Sequence, residues 1–117
     1  MTREASSAQR LRRRFGWLAA RLGRTGFILL GTIHERRIRA PERSGRKSKS
    51  YGPYYQWTFK RQGRTVTVNL SASQRNAFAK AIRRQRIVEK LLDEMRSISR
   101  QYLEVTTVGV PKRKPRI

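Results

Sequence analysis

Strict alternation of apolar and polar residues is clearest between Tyr54 and Leu70, and this stretch organises the chain around it. Tyr54-Tyr55-Gln56-Trp57-Thr58-Phe59 and Thr65-Val66-Thr67-Val68-Asn69-Leu70 each repeat with period two, the signature of a strand with one face buried. Arg61-Gln62-Gly63 lies between them as a short turn, with Gly63 free to take positive φ. A β-hairpin is therefore expected. Its core face carries Tyr55, Trp57, Phe59, Val66, Val68 and Leu70. The opposite face carries Tyr54, Gln56, Thr58, Lys60, Thr65, Thr67 and Asn69, polar throughout and uncharged in its middle.

Upstream, Phe27 to Thr32 is rich in strand formers, and Ile33, Glu35 and Arg37 then alternate with His34, Arg36 and Ile38. The pattern predicts a strand within residues 26–39, bulged at Gly31. Ala40 to Gly52 has no periodicity and reads as a polar loop. Two helices flank these elements. Residues 5–22 place Leu11, Phe15, Leu18 and Leu22 on one face, and Gly23 supplies a stop. Ser71-Ala72-Ser73-Gln74 is a capping box that opens a long second helix. In that helix Phe78, Ala81, Val88, Leu92, Met95 and Tyr102 recur at helical spacing, a heptad-like seam interrupted by Gln85 and Ser99. Charge changes along its length. Residues 75–86 hold five bases and no acid, whereas residues 87–104 hold three bases and four acids.

The implied fold is small α+β. A β-hairpin or three-stranded antiparallel sheet packs on the long C-terminal helix, with a basic N-terminal helix beside it. By segments, residues 1–25 form the N-terminal helix, 26–105 the α+β domain and 106–117 a basic tail. At 117 residues and 37% hydrophobic content the chain can build one modest core. With no cysteine and a single histidine, the usual zinc ligand sets cannot be assembled. His34 has no evident carboxylate or nucleophile beside it, and Glu89, Asp93 and Glu94 sit among Lys90 and Arg96 as surface ion pairs. Neither a nucleotide-binding glycine pattern nor an acidic metal site for phosphate chemistry is visible. The expectation is a non-enzyme with no catalytic residue, metal or cofactor. No apolar run approaches the length of a membrane span, and a cytoplasmic location with no membrane partner is expected.

Charge then points to the partner. Twenty-nine Lys and Arg against seven Asp and Glu give a net charge of +22. Such self-repulsion disfavours a compact state unless a polyanion relieves it, and nucleic acid is the densest candidate. Phosphate contacts are expected from Arg12, Arg13 and Arg14, from Arg46, Lys47 and Lys49, and from the tail residues Lys112, Arg113 and Lys114. Arg75, Arg83 and Arg86 on the first half of the long helix join them. A two-stranded ribbon fits the DNA major groove, so Gln56, Thr58, Thr67 and Asn69 are candidates for base edges, the alternative being the solvated face that antiparallel sheets often have. Tyr54 is suited to stacking on an unpaired base, as RNA readers use aromatics, or, with Tyr51, to capping the hydrophobic edge. Duplex DNA is favoured over RNA, in an accessory protein of a mobile element or phage. The alternatives are a structural RNA-binding component of a ribonucleoprotein and an interaction subunit of a larger nucleic-acid enzyme. In the latter, Val88, Leu92, Met95 and Tyr102 would form a homodimer or dock on a larger protein partner.

Gly52-Pro53-Tyr54-Tyr55-Gln56-Trp57, Gly63-Arg64 and the helix from Ser71 carry a resemblance. Together they resemble a family of small, uncharacterised bacterial, archaeal and phage proteins with a Gly-Pro-Tyr-Tyr strand opening, a hairpin and a long helix. The likeness covers residues 31–102 and implies the fold rather than an activity. Many members carry a cysteine-rich knuckle before Gly-Pro-Tyr-Tyr, where this chain has Ala40 to Ser50 and no cysteine. More loosely, the layout is similar to integrase arm-binding domains, which read DNA through a three-stranded sheet.

Overall fold

A computed structural model describes residues 3–39 and 50–111. In chain order the elements are α1 (Arg3–Gly23), β1 (Thr32–Arg39), β2 (Ser50–Arg61), β3 (Arg64–Leu70) and α2 (Ala72–Thr106). The layout is α+β, with one three-stranded antiparallel sheet in the order β1-β2-β3. Two compact units divide the chain: residues 26–86 form one, and α1 with residues 87–106 of α2 lies in the other. That division falls inside α2 rather than at its end, so the long helix contributes to both.

In the sheet unit, the hairpin register follows from its alternation. Tyr55 pairs with Leu70, Trp57 with Val68 and Phe59 with Val66, which gathers the expected core residues on one face, although Val68, near the sheet edge on β3, stays 38% exposed. The turn is tighter than the three residues expected. Arg61 pairs with Arg64, leaving Gln62 (φ 50°) and Gly63 (φ 77°) as the turn. Positive φ at both positions is the geometry whose twist matches that of the flanking strands. On the core face Trp57 stacks on Phe59 with ring centroids 4.1 Å apart, and Phe78 of α2 meets Trp57 edge-on at 5.4 Å. Leu70 and Ile82 are buried.

Residues 26–31 depart from the expected strand. Their apolar run is not paired to β2; instead the Leu29 amide donates to the Ala81 carbonyl of α2 at 3.2 Å. Phe27 and Leu30 remain largely exposed. Pairing begins at Thr32, immediately after Gly31, whose φ is +120°. A Cβ at Gly31 would lie 2.3 Å from the Trp57 indole nitrogen and 2.5 Å from the Thr58 carbonyl oxygen. The glycine thus lets the chain turn into the sheet while the Trp57 indole N–H donates to the Leu30 carbonyl at 2.9 Å. A second difference lies at the other end of β1. Residues 50–52, expected in a loop, belong to β2, and Arg36 pairs with Tyr54 while Ile38 pairs with Tyr51. Gly52 and Pro53 therefore oppose the single residue Arg37, a bulge that realigns the strand.

The capping box forms as expected. Ser71 Oγ accepts from the Gln74 amide at 3.1 Å, and Gln74 Oε1 accepts from the Ser71 amide at 3.0 Å. In the second unit Leu18 is fully buried with Leu91 and Ile98, and Leu11, Leu22 and Met95 pack around them. Arg14 reaches Glu94 while Arg12 lies over Tyr102, so later positions on α1 meet earlier positions on α2 and the pair runs antiparallel. The inward stripe of α2 is centred on Leu91 and Ile98, not on the Leu92-containing seam expected from spacing. Phe15, expected on the buried face of α1, is 39% exposed.

Candidate nucleic-acid interface

The polar face of the sheet is built by the same alternation that builds the core. Gln56 pairs with Asn69, Thr58 with Thr67 and Lys60 with Thr65. Register with β1 then adds His34 beside Gln56, Thr32 beside Thr58 and Arg36 beside Tyr54. The rows are thus His34–Gln56–Asn69 and Thr32–Thr58–Thr67, with Arg36 toward one end and Lys60 toward the other. Since Trp57 and Tyr55 meet Phe78 and Arg75 on the opposite face, this one is turned away from residues 72–86 of α2.

Side chains within the rows are linked. Gln56 Nε2 donates to Asn69 Oδ1 at 3.2 Å, and His34 Nε2 lies 3.2 Å from Thr58 Oγ1. Thr58 Oγ1 also donates to the Thr32 carbonyl at 3.4 Å. The Gln56–Asn69 bond uses one amide hydrogen and one carbonyl lone pair, so Gln56 Oε1 and Asn69 Nδ2 keep an acceptor and donors for an outside partner. Tyr54, on the same face, is 48% exposed.

All five residues expected to contact bases, Tyr54, Gln56, Thr58, Thr67 and Asn69, therefore share one face. Spacing alone did not reveal that Thr32, His34 and Arg36 extend it to a third strand. The alternation of residues 33–38 was the available signal, but only the β1–β2 register determines which half of it joins the polar face.

The expected phosphate contacts are more scattered. Arg12, Arg13 and Arg14 are exposed on α1, but consecutive helical residues point about 100° apart and the triplet fans out. Arg12 lies over the Tyr102 ring at 5.5 Å. Arg14 forms an ion pair with Glu94 at 2.6 Å and also stacks on Trp17 at 4.7 Å. Trp17, whose role no spacing pattern signals, is 48% exposed and has Arg21 on it as well, at 5.5 Å. Arg75 lies over Tyr55 at 5.7 Å, on the helix side of the sheet, so it does not border the polar face. Arg83 and Arg86 are exposed on α2. Arg46, Lys47, Lys49, Lys112, Arg113 and Lys114 lie outside the described residues.

The expected partner face of α2 is used in part within the chain. Val88 is buried and Met95 packs on the Leu18–Leu91–Ile98 cluster. Leu92 is half-buried, as is Tyr102 beneath Arg12. Among the described residues no group of three or more His, Asp or Glu is placed to hold a metal, and no helix is long and apolar enough to cross a membrane. Neither family models, curated proteins nor solved structures yield a match to this chain. The Gly-Pro-Tyr-Tyr resemblance accordingly rests on the quoted residues alone.

Proposed function

We propose that this protein binds nucleic acid without catalysis, laying the polar sheet face along the major groove of duplex DNA. The observation that carries this reading is the two adjoining rows of polar hydrogen-bonding side chains, with Arg36 and Lys60 toward the ends, in a chain of net charge +22. Same-face residues along a strand repeat every ~6.8 Å, which is about two base-pair steps of ~3.4 Å. Gln56 and Asn69 together offer the donor and acceptor that adenine meets in the major groove. Basic residues on both units supply sequence-independent contacts to phosphate.

Binding of labelled duplexes over a range of salt concentrations tests both parts. Affinity should fall steeply and linearly in log K against log[salt], reflecting counterion release. Gln56→Ala and Asn69→Ala should each erase roughly 1–3 kcal/mol of discrimination between preferred and scrambled duplexes. Equal weakening on every sequence would remove the groove-reading role, and a flat salt plot would remove the polyanion. A second reading, single-stranded or looped RNA, is favoured by exposed Tyr54 and Trp17, which are suited to stacking on unpaired bases. Competition between duplex DNA and structured RNA separates the two.

A further inference from the structure

We infer that residues 87–106 of α2 carry a homodimer interface, on which a second copy of this chain lays the same helical face. Two paired helices cover only one side of each other, so their flanks need another occupant or stay exposed. Here the flank is apolar and open. Leu103 is 56% exposed between two adjoining grooves of about 360 and 530 Å³. Leu11 and Phe15 line one groove, Leu92 and Met95 the other, and Ser99 and Leu103 line both.

Charge identifies the occupant. Residues 87–106 hold three bases and four acids, leaving 26 bases against three acids in the rest of the chain. The grooves themselves are lined by Arg12, Arg96 and Arg100 against Glu104, and Arg96 is also met by Asp93. A cationic chain therefore meets less repulsion from another along this segment than it meets elsewhere. Nucleic acid and acidic proteins are drawn instead to the basic surfaces. The rim of the second groove is also self-complementary. Arg100 pairs with Glu104 at 3.0 Å and Arg96 with Asp93 at 3.0 Å, all largely exposed. About a two-fold axis each arginine can exchange its own acid for the equivalent acid of the other copy. Val88, which is buried, takes no part, whereas Leu92, Met95 and Tyr102 line the grooves.

Sedimentation equilibrium of the full chain, after nuclease treatment and in high salt, tests this directly. The wild type should be dimeric at micromolar concentration. Leu103→Glu should weaken association by roughly thirtyfold or more while retaining the helical circular-dichroism signal. Glu104→Arg, at a solvent-exposed position, should also weaken it, and the double exchange Arg100→Glu with Glu104→Arg should restore it. A wild type that stays monomeric into the high micromolar range overturns the proposal. So does a folded Leu103→Glu variant that remains fully dimeric, or a double exchange no tighter than Glu104→Arg alone. Nucleic-acid affinity of the monomeric variants is a separate readout, so the groove-reading face can stand or fall independently.

Discussion

Replacing Gly31 by alanine should unseat the first strand of the sheet, and with it one third of the polar face. Two costs arise together. At φ +120° an L-residue occupies backbone space that usually costs about 1–3 kcal/mol. The new Cβ would also fall 2.3 Å from the Trp57 indole nitrogen and 2.5 Å from the Thr58 carbonyl. A backbone oxygen cannot step aside as a flexible side chain can, so Trp57 or the start of β1 must move. Either shift breaks the indole bond to Leu30, worth about 1 kcal/mol. The sum is roughly 2–4 kcal/mol, a large share of the stability of a chain this size. Two other glycines calibrate the result. Gly63→Ala meets positive φ without any neighbour within 4 Å and should cost only about 1–2 kcal/mol. Gly23→Ala meets open space at the end of α1 and should be close to neutral. Urea denaturation followed by tryptophan fluorescence and circular dichroism yields all three values. If Gly31→Ala costs no more than Gly63→Ala, the close approach of Trp57 and Thr58 does not constrain this position.

Two further perturbations probe the remaining structure. Leu18→Ala, at a fully buried position, should cost about 2–5 kcal/mol in chemical denaturation because the cavity it leaves is shared with Leu91 and Ile98. Ser71→Ala removes the cap of α2 and should cost about 1 kcal/mol, with Ser71→Asp recovering most of it.

The hairpin, its two faces and the helix cap were legible in the amino-acid order because each depends on neighbours a few positions apart. Period-two alternation assigned Gln56, Thr58, Thr67 and Asn69 to one side before any partner strand was known, and the observed register keeps them there. The capping box needed only Ser71 and Gln74. Three other features were not local. Phe27 to Leu30 has strand composition, yet the strand begins at Thr32, and Leu29 donates to a helix carbonyl 52 positions later. The second half of α2 offers apolar residues on more than one side. Leu91 and Ile98 turn inward because Leu18 is there to meet them, which spacing within α2 cannot reveal. Likewise, His34 joins Gln56 and Thr58 only through pairing across 22 and 24 positions. Sequence alone determined which residues alternate, where the long helix is capped and how large the net positive charge is. Tertiary structure decided which of several competent faces is buried, because that choice is made by contacts between residues distant along the chain.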